Sequence, residues 1–192
     1  MRILAAIMLC CCPALLFAAP PARIQASYDV NTKGVKIAEI NEKFTRSDDH
    51  YRIESVTKPV GLLALFKPDT LYIISEGEIN GIGLRPQNFS FRYSHATPKN
   101  TEASFDWKQS NLMLNDRYGQ RFMPLPEGTQ DRLSALYQFR YITFLRERKE
   151  LLMHITNGSK IDKRQYQIRP RQMVEVPLGM LETLYLRRHF TQ

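Results

Sequence analysis

Histidine is the side chain best suited to acid–base or metal chemistry near neutral pH, and this 192-residue chain holds four of them, His50, His95, His154 and His189. They are scattered, with no metal-like spacing and no HExxH pattern. Each is read as a strand or surface residue. Asp48 and Asp49 are adjacent, but between Ser47 and His50 they solvate a turn rather than work as an acid–base pair. Gly81 and Gly83 begin a phosphate-loop pattern that Pro86 ends, with no helix to follow. No GxSxG elbow occurs, and Ser159 belongs to a hairpin signal with Gly158. Without a nucleophile, base and orienting group, a binding or structural role is favoured over catalysis, and no metal or cofactor is expected.

The apolar and aromatic residues say more. Phe89, Phe91 and Tyr93 in NFSFRYS share one face of a strand, with Ser90, Arg92 and Ser94 on the other, and Phe105 and Trp107 repeat the device. This aromatic wall is either core packing or the lining of a ligand site. The stretch PVGLLALFKPD places Leu62, Leu63, Ala64, Leu65 and Phe66 between Pro59 and Pro68. Pro59 discourages continuation of a strand, Gly61 permits a sharp redirection, and Pro68 ends whatever follows, so Leu62 to Phe66 is expected to form one short helical plug. It either closes the core permanently or acts as a lid over an apolar site.

The remaining elements must hold these groups. Ala26, Tyr28 and Val30 alternate, Asn31 to Gly34 supplies turn residues, and Val35 to Phe44 returns as a second strand. Tyr51 to Val56, Leu71 to Ile74, Leu151 to Thr156, Tyr166 to Arg169, Met173 to Val176 and Leu181 to Phe190 continue the β pattern, with a hairpin signal at Asn157-Gly158. One long helix is expected in LPEGTQDRLSALYQFRYITFLRER, started by Gly128 or Thr129, with Gln130 and Asp131 at its positive end and Arg146, Arg148 and Lys149 at the other. Leu133, Leu136, Tyr137, Tyr141 and Phe144 would form its apolar face. Phe139 and Ile142 fall on the opposite side, so the helix is either covered twice or shows an apolar pair to a lipid or partner. Arg140 sits within the apolar face, where a guanidinium must snorkel, pair, or meet an anionic ligand.

The first residues, MRILAAIMLCCCPALLFAAPPA, have a charged start at Arg2, an apolar centre and small residues at Ala18 and Ala19. A secretory signal over residues 1–19 is expected, followed by one β-rich domain over 20–192. Cys10, Cys11 and Cys12 all lie in that signal, so the exported chain would have no disulfide, which suits a Gram-negative periplasm. The formal charge is +8, or +7 once Arg2 is lost, since 26 basic residues then face 19 acidic ones. An exported basic protein meets anionic lipid or polymer before nucleic acid.

Several stretches together resemble an exported bacterial family known as domain of unknown function 3108. They are ASYDV, YRIESVTKPVGLLALFKPD, GLRPQNFSFRYS, FDW, LPEGTQDRLS and VEVPLGMLETLYLRR, in that order over nearly all of the exported chain. The resemblance brings no reaction with it. It implies a further strand pair beyond the last strand read here, and if the chain ends at Gln192 without it, an edge open to pairing is expected. By analogy of fold, the pattern is similar to the half-barrels of periplasmic lipoprotein carriers.

The fold expected is mainly β (α+β): a long curved antiparallel sheet or half-barrel packed on one main helix, with the short apolar plug. The function expected is non-catalytic binding of a lipid or other amphiphile in envelope biogenesis, through Leu62, Leu63, Leu65, Phe66, Phe89, Phe91, Tyr93 and Trp107, with Arg140 meeting a head group. The alternative is an envelope scaffold or protein-interaction module without a small ligand. Partners in view are an amphiphile, an envelope protein and the surface of an anionic membrane, but not nucleic acid.

Overall fold

The computed structural model describes residues 21–176 and 179–188. The expected signal segment with its three cysteines, Pro177, Leu178 and the last residues of the expected final strand lie outside them.

Alternation of apolar and polar side chains builds eight strands in sequence: β1 (Arg23–Thr32), β2 (Val35–Ser47), β3 (His50–Pro59), β4 (Leu71–Asn80), β5 (Gly83–Tyr93), β6 (Thr101–Asp106), β7 (Asn111–Asp116) and β8 (Gly119–Pro124). Each pairs antiparallel with the next, giving an eight-stranded meander that curls into a half-barrel. The first turn has Lys33 and Gly34 at φ 48 and 79, the mirror-image geometry that matches strand twist. Between β3 and β4 stands the helix α1 (Leu62–Phe66), with the bounds its flanking prolines impose. The hairpin of β7 and β8 is an addition to the expected strands.

A second, four-stranded sheet has the order β12-β11-β10-β9, formed by β9 (Gln130–Asp131), β10 (Glu150–Thr156), β11 (Ile161–Val176) and β12 (Gly179–Arg188). Asn157 opens the turn between β10 and β11, its side chain accepting from the N–H groups of Ser159 and Lys160 at 3.0 and 3.1 Å.

The long helix is not there. Gln130 and Asp131 pair in parallel with Ile155 and Thr156, and the helical part shrinks to α2 (Ser134–Gln138) and a 3₁₀ turn at Leu145–Glu147. Phe139, Tyr141, Ile142, Thr143 and Phe144 are poor helix formers, and Phe144 takes the left-handed conformation at φ 55, which ends any continuation. The segment instead lies between the two sheets. Leu133, Tyr137 and Tyr141 pack with Phe44, Tyr51, Ile53 and Leu84 of the half-barrel, while Ala135, Phe139, Ile142 and Leu145 pack with Leu151, Met153, Ile155 and Ile168 of the second sheet. Phe139 and Ile142 thus belong to a segment covered twice. Leu136 and Phe144, expected on the buried face, are exposed.

Candidate functional site

Strand register orders the inner face of the half-barrel into cross-strand rows. The deepest relevant row runs Ile24, Phe44, Ile53, Ser75, Phe89, Ala103 and Leu114, and from Phe44 to Leu114 it is buried. One step along the strands lie Ala26, Glu42, Ser55, Ile73, Phe91 and Thr101. A further step gives Tyr28, Ile40, Thr57, Leu71 and Tyr93, all on the same face because each is two residues on. Ile40, Thr57, Leu71 and Tyr93 are half-buried, and Tyr28 is exposed.

What covers this row from Phe44 to Ser75 is the segment from Thr129 to Tyr141, and a buried polar cluster fastens it, while Phe89, Ala103 and Leu114 pack with Leu112, Leu125 and Ile161. Asp131 is fully enclosed. Its carboxylate accepts from the Ser75 hydroxyl at 2.5 Å and from the N–H groups of Leu133 and Ser134 at 2.8 Å each, and Ser75 lies 3.1 Å from the Tyr51 hydroxyl. The Ser134 hydroxyl in turn accepts from the Asp131 N–H at 3.0 Å. Burial pushes the Asp131 carboxyl above its ordinary range, and the donors pull it back only in part. Tyr51 is raised well above its usual value by the same burial and by the nearby Asp131 charge. Gln130 donates to the Leu84 carbonyl at 2.8 Å, and Gln138 accepts from the Leu84 N–H at 2.7 Å. With Tyr51, Ser75, Gln130, Asp131 and Ser134 all buried, the cluster pins elements and is closed to substrate.

The cover stops at the second row. Tyr137 stacks on Phe44 with centroids 5.0 Å apart, and its hydroxyl donates to Glu42 at 2.7 Å. Burial, then the Glu42 carboxylate, raises the Tyr137 pKa. The Arg132 guanidinium lies over the Phe91 ring, 5.4 Å from its centroid. Beyond these residues the row of Tyr28, Ile40, Thr57, Leu71 and Tyr93 forms an apolar shelf reaching the end of the sheet that carries α1. On α1 itself Leu63 and Ala64 are half-buried, whereas Leu62, Leu65 and Phe66 are exposed. The plug is not buried against the aromatic wall.

Of the anticipated site residues, Phe91 and Tyr93 stand edge to face at 5.3 Å on the inner face, and Leu62, Leu63, Leu65 and Phe66 of α1 lie at the end of the sheet to which Tyr93 runs. Phe89 is core. Trp107 follows β6 at the opposite end, stacked on Phe105 at 5.8 Å, donating to the Pro86 carbonyl at 2.6 Å, with Arg85 over its ring. Arg140 is exposed rather than set in an apolar face, and has no ion pair among the described residues; its charge partly offsets the rise at Tyr137. Arg132, Tyr28, Ile40 and Leu71 join the site unanticipated. For Tyr28, Ile40 and Leu71 the signal was alternation within their strands, and for Arg132 and the clamp beside it the Asp131-x-x-Ser134 spacing that offers a reciprocal cap.

The outer face carries adjoining grooves of about 420 and 510 Å³ over Val56, Tyr72, Ile74 and Met113. Its charges are already matched: Arg52 pairs with Glu54 and Glu76, Lys43 with Glu54, and Arg92 with Glu102. Such a surface offers a ligand little unsatisfied polarity. Among the described residues no group of histidine, cysteine and carboxylates could hold a metal ion.

These features define a curled β-sheet protein whose inner face is covered over part of its length by a pinned segment. The chain belongs to the family described as Protein of unknown function (DUF3108), whose model matches residues 27–192. No curated protein and no solved structure matched it.

Proposed function

We propose that this is an exported, periplasmic protein that binds a lipid or other amphiphile without catalysis during envelope biogenesis. One observation carries the reading: the shelf of Tyr28, Ile40, Thr57, Leu71 and Tyr93 continues the core's cross-strand rows past the segment that covers them. An acyl chain laid along it would extend the apolar contacts of the core. The Arg132 guanidinium at the border of the shelf supplies a cation for an anionic head group, and Arg140 a second one from the covering segment. Both arginines are exposed.

The test is titration with an environment-sensitive anionic aminonaphthalene probe, displaced by fatty acid or phospholipid. Saturable binding of about one probe per chain is expected, weakened on the order of tenfold or more in Leu71→Asp, since burying a leucine is worth ~1.5–3 kcal/mol. Tyr28→Asp, at a position already exposed, gives the same loss in a variant less prone to unfold. Absence of probe binding to the folded protein would sink the proposal.

A scaffold role is favoured by a different observation. On the β11–β12 arm Met173, Val174, Met180, Leu181 and Tyr185 are all exposed. That reading predicts that Met180→Ser with Leu181→Ser dissolves an envelope complex seen on native gels, with probe binding unchanged.

A further inference from the structure

The two ends of the half-barrel differ in chemistry. Because the meander is antiparallel throughout, the β1–β2 turn, the α1 connection and the β5–β6 connection share one end. They are tied together: Val60 N–H donates to the Ile37 carbonyl at 2.9 Å, and the Asp69 carboxylate accepts from the N–H groups of His95 and Ala96 at 2.9 and 3.1 Å. At this end Leu62, Leu65 and Phe66 are 75, 77 and 81% exposed, and Val35 across the neighbouring turn is 63% exposed. A lone exposed leucine needs no explanation, but three large apolar side chains on a five-residue helix do.

Charge follows the same polarity. Lys33, Lys36, Lys58, Lys67 and Lys99 surround the apolar tip, against Asp29, Glu39 and Asp69. Lys36 holds both Asp29 and Glu39 at 2.7 Å, and Asp69 is engaged by the backbone beside His95. Lys33, Lys58 and Lys67 are exposed and have no ion pair among the described residues. At the opposite end, over the turns and the strand ends beside them, Asp48, Asp49, Glu78 and Asp106 balance Arg23, Arg46, Arg85 and Lys108, and Ile82 is the exposed large aliphatic side chain.

We propose that the α1 end of the half-barrel docks on an anionic membrane surface, with Leu62, Leu65 and Phe66 entering the head-group boundary and Lys33, Lys58 and Lys67 meeting lipid phosphates. Protein–protein interface cores are depleted in lysine, whereas an apolar tip ringed by flexible lysines is what binds an anionic bilayer. Long lysine stems let the ammonium groups stay at phosphate level while the leucines go deeper. The docking deepens the amphiphile reading, because it sets the open end of the shelf against the source of its ligand. It fails separately, since vesicle binding and probe binding are read in different assays.

The test is flotation of the purified exported protein with vesicles of phosphatidylcholine alone and of phosphatidylcholine with phosphatidylglycerol. Flotation with the anionic vesicles only, weakening as salt rises, is expected. Leu65→Ser with Phe66→Ser, and separately Lys58→Glu with Lys67→Glu, should each cut the bound fraction on the order of tenfold, at positions whose exposure leaves the melting temperature unchanged. Lys108→Glu at the opposite end should change nothing. In Phe66→Trp the emission should shift to the blue on anionic vesicles and be quenched by brominated acyl chains. The proposal is overturned if wild type does not float, if it floats regardless of the α1 and lysine substitutions, or if Phe66→Ser instead dissociates a dimer of this chain found without vesicles.

Discussion

Asp131 is the residue on which the covering segment depends. A carboxylate with no exposed surface, held by Ser75 and two backbone N–H groups, leaves three donors unpaired when it is removed. Asp131→Ala should therefore cost about 3 kcal/mol in urea unfolding, and Ser75→Ala less, about 1–2 kcal/mol, because one donor is lost and the carboxylate keeps the others. The carboxyl also gives stability a pH dependence. Its folded pKa lies above the unfolded value of 3.8, so the folded state holds the proton more tightly. That contribution is fully present below 3.8 and is lost as the pH rises through the raised folded value. Asp116 has the opposite sign: the Arg121 side chain holds it down to about 2, so its contribution is present above 3.8 and disappears as the pH falls toward 2. Unfolding midpoints measured across the acid range should lose the upper slope in Asp131→Asn and the lower one in Asp116→Asn. A slope above pH 4 that survives in Asp131→Asn contradicts the assignment.

Elements were legible where their causes are local. Two prolines and Gly61 bound α1 on both sides, and Lys33-Gly34 and Asn157-Gly158 make turns whose geometry their own side chains favour. The segment after Thr129 was not, because its periodicity arises from contact with two sheets at once: Leu133 and Tyr137 face one, Ala135 and Phe139 the other. Read as a helix, Gln130 and Asp131 look like ordinary dipole partners. Only the distant strand β10 and Ser75 give them their roles. Half of the proposed site was legible for the same reason, since α1, Phe91 and Tyr93 declare themselves by pattern, while the shelf needs the register of five strands. Gly77 gives an element-scale check of that register. At the irregularity between Glu76 and Gly77, a Cβ would stand 2.3 Å from the Arg85 carbonyl oxygen and 2.8 Å from the Gln87 nitrogen, both backbone atoms that cannot swing aside. Gly77→Ala should destabilise by about 2 kcal/mol or more, whereas Phe66→Ser on exposed α1 should stay within about 0.5 kcal/mol, both read by chemical denaturation.

Across the whole molecule, one face of a curled sheet does three things in sequence along its strands. Its deepest row is sealed in part by a pinned segment, its middle row is shared with that segment, and its outer row is left open beside an apolar, lysine-ringed tip. No long helix is needed for this; a short segment fixed by one buried carboxylate covers enough of the face to make a core. The outer face, with its charges matched in pairs, keeps the sheet from presenting a second apolar surface. If the open row is a binding surface, the protein should be purified with something on it.

Native mass spectrometry of the protein, purified without detergent and paired with analysis of its organic extract, tests this most directly. The account predicts a bound amphiphile at close to one per chain, lost in Leu63→Asp with Phe66→Asp while the circular dichroism stays that of a β protein. A clean apo mass from a well-folded protein would contradict it.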